Sequence, residues 1–139
     1  MSLLFQVGEI VYSEWNQSKQ WKGYWFLAQV VSFNASKCVY KLHYMDGDVR
    51  EDVPHKQMRK LPKREKNNKM IGKRFYDEGD NDGEGFTKGE FVVLCYQPGS
   101  NQDKSCYWCE RDTFGDEERD IQSFGLQYVS ERVIEYENE

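Results

Sequence analysis

The sequence predicts an all-β chain built as two small five-stranded barrels in tandem. Two observations carry that prediction. Short runs of alternating apolar and polar residues, broken by turn residues, fill almost the whole chain. An internal echo of about 65 residues then repeats the order of those runs. With 139 residues the chain suits one domain or two very small ones, and no long amphipathic helix is expected.

The elements follow in order. Phe5 and Val7, then Glu9 and Val11, alternate around Gly8. Tyr24, Phe26, Ala28 and Val30 alternate with Trp25, Leu27, Gln29 and Val31, the pattern of a second strand. "VYKLHY" at 39–44 gives a third, closed by the turn "MDGD". Residues 49–53 give a fourth; Pro54 then opens a short turn before a fifth at 58–61. Five short strands in about 60 residues are the content of a small closed barrel.

The second half repeats this order. "MIGKRFY" at 70–76 echoes "QVGEIVY" at 6–12, residues 89–96 echo 23–30, and 128–134 echo 52–58. The expected division is therefore a first domain over 4–61, a basic linker over 62–69 and a second, divergent domain over 70–139.

Charge is segregated along this plan. The net charge of −5 divides into −1 over residues 1–55, +8 over 56–74 and −12 over 75–139. A basic strap thus joins a near-neutral half to an acidic one. The strap offers Lys56, Arg59, Lys60, Lys63, Arg64, Lys66 and Lys69 as contacts for nucleic-acid phosphates, or as partners for the acidic half. No recognition helix or single-strand stacking platform accompanies it.

Other chemistries find little support. Cys106 and Cys109 have half of a zinc spacing, but on a strand they point to opposite faces, so buried, reduced thiols are expected and no metal. The acidic run "DEGDNDGEG" at 77–85 fails as a calcium loop, because its bidentate position falls on Gly89 and strands flank it. His43 and His55 have no recognisable nucleophile or metal partner, and no phosphate-cradling glycine motif occurs. An enzyme is not expected, nor a cofactor. No run approaches a membrane span and no signal-peptide core stands at the start.

The rings are the remaining feature. Trp15, Trp21, Tyr24, Trp25 and Phe26 fall within twelve positions, more than one hairpin of so small a core requires. The pattern that surrounds them, "VGEIVYSEW", "GYWFLAQV", "YKLHYMDGD" and "VPHKQMRKL", resembles a Tudor domain across residues 5–61. The second half resembles another Tudor-like barrel more loosely, so the whole resembles a tandem Tudor protein of the Royal superfamily. That resemblance implies SH3-like barrels, a nuclear location, and a non-enzymatic reader of methylated lysine, less readily methylarginine, on a histone tail. It implies an aromatic cage of Trp15, Tyr24, Phe26 and Tyr44, with Asp46 beside it to tune the methylation state. A methylated ammonium keeps its charge but gains apolar surface, and so prefers ring faces to water. Trp15→Ala or Tyr44→Ala is then expected to abolish methyl-dependent binding and leave the fold intact. Many Tudor cages place a further aromatic after the Asp-Gly turn; here Asp48 and Val49 follow, so Trp21 is a candidate to supply the missing ring. In the second half Gly79, Val92, Glu110 and Asp112 stand at the matched positions, and no working cage is expected there. Beside this reading stand a nucleic-acid-binding barrel pair that uses the strap on DNA, and a scaffold module docked to other subunits of a chromatin complex.

Overall fold

The computed structural model describes residues 4–15, 24–77, 89–101, 104–112 and 119–139. The chain is mostly β, with two antiparallel sheets that lie in separate compact units, Met1–Pro62 and Lys63–Glu139.

In the first unit the strands are β1 (Ile10–Glu14), β2 (Trp25–Asn34), β3 (Val39–Tyr44), β4 (Val49–Pro54) and β5 (Met58–Lys60). Their order in the sheet is β4-β3-β2-β1-β5, so the last strand returns to pair with the first. A 3-10 turn, His55–Gln57, makes that return where Pro54 was expected to open one. The alternation read from the sequence sets the faces: Val11, Ala28, Val30, Leu42, Tyr44 and Val53 are all buried in one core.

The first strand starts later than the alternation suggested. Gly8 has φ +94°, and its N–H donates to the Val30 carbonyl while Val30 N–H donates to Glu9. This turn leads the chain into β1 at Ile10. The second unit repeats it: Gly72 has φ +86°, its N–H donates to Val93, and Val93 N–H donates to Lys73. A left-handed φ at both positions is the reason glycine recurs there. The register of β2 against β3 shifts between Val30 and Ser32, and that of β7 (Gly89–Gln97) against β8 (Cys106–Arg111) shifts between Val93 and Cys95. Each shift is one extra residue, Val31 or Leu94, after the equivalent valine. The repeat thus extends from sequence into turn and bulge.

It ends at the last element. Among the described residues the second sheet has four strands, β6 (Arg74–Asp77), β7, β8 and β9 (Asp120–Gly125), in the order β6-β7-β8-β9. Residues 128–134, matched in sequence to a strand and turn, lie in a helix, α2 (Leu126–Glu137). The expectations of five strands in the second half and of no long helix are therefore corrected. Val129 and Val133, four residues apart, bury into the cluster of Phe75, Phe91, Val93 and Tyr107 while Glu131 between them is exposed, so the apolar period here is helical and not that of a strand. The basic linker also carries structure: Lys63–Lys66 form one helical turn, α1. No helix among the described residues is long and apolar enough to cross a membrane.

Candidate functional site

The ring cluster of the first unit is built by cross-strand pairing. Ser13 pairs with Phe26 and Ala28 with Tyr44, and the Trp15 N–H donates to the Tyr24 carbonyl at 2.7 Å. Trp15, Tyr24 and Phe26 therefore stand at one end of the face whose middle is the core. Trp15 meets Phe26 edge-to-face at 6.3 Å between centroids and meets Tyr44 the same way at 5.3 Å.

Exposure separates the candidate residues. Tyr24 is 57 % exposed, Trp15 and Phe26 are half-buried, and Tyr44 is 2 % exposed with its hydroxyl donated to Ser13 Oγ at 2.9 Å. A ring with no open face cannot lie against a ligand, so Tyr44 is the floor under the cluster and not one of its walls. The expectation that Tyr44→Ala would leave the fold intact is corrected for the same reason: that substitution empties a core site. Asp46 is exposed, and its Oδ1 accepts the Asp48 N–H at 3.1 Å, an Asx turn that shapes the loop after Tyr44. Trp21 lies outside the described residues, as does the acidic run beyond Asp77.

Two supporting residues escaped the sequence reading. Ser13 is fully buried beneath the rings, on β1, two residues before Trp15. Arg50 is only 9 % exposed; its Nη1 donates to the Glu14 carbonyl at 3.0 Å and its Nη2 to Gln57 Oε1 at 2.5 Å. It thereby fixes the end of β1 one residue before Trp15. Its direction comes from a bulge, because Tyr40 pairs with Val53 and Leu42 with Arg50, with Asp52 at φ +58° in the extra step. Val49, which simple alternation turns inward, is exposed instead.

The structural correspondence between units differs from the sequence one. Because Val30 matches Val93 through the shared turn, Phe26 matches Gly89 and Tyr44 matches Arg111. A Cβ at Gly89 would lie 3.1 Å from Arg111 Cγ and Cδ, and Arg111 Nε bonds Asp120 Oδ2 at 2.7 Å. An ion-paired arginine thus occupies the place of the ring pair.

The basic strap divides in two. The Arg59 guanidinium stacks 3.5 Å from the Trp25 ring centroid, and Lys60 Nζ bonds Glu9 Oε2 at 2.9 Å. Lys73 pairs with Glu137 at 2.8 Å and Arg74 with Glu90 at 3.3 Å. Lys56, Lys63, Arg64, Lys66 and Lys69 are exposed.

The cysteines are all free thiols. Cys106 is half-buried and Cys109 buried, on alternate faces of β8. Burial pushes the Cys95 thiol up to about 12 and raises Cys109 and Cys106 as well. Among the described residues no group of three or more His, Cys, Asp or Glu side chains is placed to hold a metal ion.

Comparison of the chain with protein-family models, with curated proteins and with solved structures gives no match in any of the three.

Proposed function

We propose that the first unit is an SH3-like barrel of the Tudor kind and reads methylated lysine on a histone tail without catalysing a reaction. Support for the barrel comes from the strand order β4-β3-β2-β1-β5 and the 3-10 turn that returns the chain to β1. The observation that carries the binding reading is Trp15 meeting both Phe26 and Tyr44 edge-to-face at one end of the core, with the exposed Tyr24 just before β2 and bonded through its carbonyl to the Trp15 N–H. Trp15, Phe26 and Tyr24 are the ring walls, Tyr44 is the floor, and Asp46 at the next turn supplies negative charge. Each ring face contributes about 0.5–2 kcal/mol to a desolvated methylammonium. Dimethylated and trimethylated lysine are the natural ligands of such walls, and a carboxylate favours the states that keep an N–H. The proposed setting is a nuclear one, with the second unit as a neighbouring domain that carries no cage of its own.

The test is a pair of titrations with methylated histone-tail peptides. Trp15→Ala removes a half-buried wall that packs on Tyr44, so folding of the variant is checked first by circular dichroism. In the folded variant methyl-dependent binding is expected to weaken at least tenfold, which is about 1.4 kcal/mol. Parent-like affinity in that variant would sink the reading. A second reading is favoured by one observation: of the seven exposed cations from Lys56 to Lys69, five (Lys56, Lys63, Arg64, Lys66 and Lys69) stand outside the Arg59–Trp25 stack and the Lys60–Glu9 pair. If the chain binds DNA through those five, affinity falls steeply with salt, by a log–log slope of about −4.5. Flat dependence, or no binding at low salt, removes that alternative.

A further inference from the structure

The second unit has its own cleft, on the side of β6 away from the sheet. It measures about 440 Å³ and lies between β6 and α2. Helical spacing makes one wall: Tyr128, Arg132 and Tyr136 recur every four residues along α2, beside the buried stripe of Val129 and Val133. Strand alternation makes the other, since Phe75 turns into the core while its neighbour Tyr76 is 49 % exposed. Tyr76 and Tyr136 lie 5.0 Å apart between centroids with their planes inclined at 47°. Asp77, Glu135 and Glu139 also line the cleft, three carboxylates against the single guanidinium of Arg132.

That guanidinium shows what the cleft accommodates. The Arg132 Cζ stands 4.7 Å from the Tyr128 ring centroid, and its Nη1 lies 3.5 Å from Glu135 Oε1. A ring face and a carboxylate together are what a flat, delocalised cation needs, and a guanidinium meets both better than a compact ammonium does. The rings themselves are held. Tyr128 donates its hydroxyl to Asp77, and Tyr136 donates to Glu90 Oε1 at 2.6 Å. Burial, followed by the bond to Asp77, raises the Tyr128 hydroxyl above its ordinary value, and the bond to Glu90 raises that of Tyr136. Both therefore stay neutral phenols at ordinary pH. The surroundings match, with a net charge of −12 over residues 75–139.

We propose that this cleft binds the unmodified arginine side chain of a basic peptide, between the tilted Tyr76–Tyr136 pair and the Tyr128 face, and that Arg132 occupies part of the site until the peptide displaces it. The inference does not rest on the ring cluster of the first unit. Arg132 is held by the Tyr128 ring and hydroxyl and by Glu135, all partners an incoming arginine can take over in kind, and the newcomer gains the Tyr76–Tyr136 pair besides.

The full chain, with its tyrosine rings labelled for NMR, is titrated with three unmethylated peptides that differ only at a central arginine, lysine or citrulline. The expected result is shifts at Tyr76, Tyr128 and Tyr136 with the arginine peptide, binding weaker by about fivefold for lysine, and none for citrulline. Tyr76→Ala, an exposed position, is expected to weaken arginine binding about tenfold, and Arg132→Ala to tighten it several-fold by clearing Tyr128 and Glu135. Equal binding of the citrulline peptide, shifts that spare the three rings, no binding of any peptide, or weakened binding in Arg132→Ala would overturn the proposal. Because the peptides carry no methyl group and the readout is in the second unit, a failure here is distinct from a failure at Trp15.

Discussion

Tyr44 shows how much one residue's burial changes its meaning. Its ring lies 5.3 Å from that of Trp15 between centroids, since Ala28 pairs with Tyr44 across β2 and β3. Spacing alone could not show that its ring is covered and its hydroxyl given to Ser13. Tyr44→Phe keeps the ring and leaves Ser13 Oγ buried without that donor, so it should cost about 1–2 kcal/mol in urea unfolding and leave peptide affinity within about twofold. A large loss of affinity with unchanged stability would make Tyr44 a wall after all. Arg50 was illegible for a different reason. In "VREDVP" plain alternation sends Val49 inward, and only the bulge at Asp52 reverses the assignment. Asp tolerates a left-handed φ, but nothing in the composition of that strand requires one.

Among the elements, the strands of the first unit were the most legible, because one buried face imposes a period of two. The helix α2 was the least. Its sequence "LQYVSERVIEYE" mixes β-branched and aromatic residues with glutamates, so propensity is divided. Gly125 stands at the N-cap with no side chain to mark the start, and the repeat favoured a strand by analogy. The period decides it: Val129 and Val133 are buried while Glu131, midway between them, is exposed. On a strand all three would share one face; on a helix only the two valines do, and there they join Phe75 and Phe91 in the core. Val133→Asp would bury an unpaired carboxylate there and should cost more than about 3 kcal/mol, with helical circular dichroism and the tertiary signal of the second unit lost together. Loss confined to the terminal turn would show that α2 is not part of that core.

For the whole molecule, charge was fully legible in the sequence, while its partners were not. The ends of the strap fold back on Glu9, Glu137 and Glu90, and its middle stays exposed; contacts so distant along the chain leave no local signal. The buried thiols set a further whole-molecule property. The Cys95 thiol ionises at 9.0 when free and at about 12 in the fold, because burial penalises the thiolate. Its contribution is complete below the lower value and is lost as pH rises through that window, at about 1.4 kcal/mol per pH unit. The urea midpoint of the second unit should therefore fall as pH rises between those limits, and fall less in Cys95→Ala; an equal fall in both would contradict the burial. The most direct measurement of all is an NMR titration of the labelled chain with methylated and unmethylated histone-tail peptides. Shifts at Trp15, Tyr24, Phe26 and Asp46 that appear only with the methylated peptides are the predicted result. No response there across a broad panel, or the same response with unmethylated peptides, would contradict a methyllysine site in the first unit.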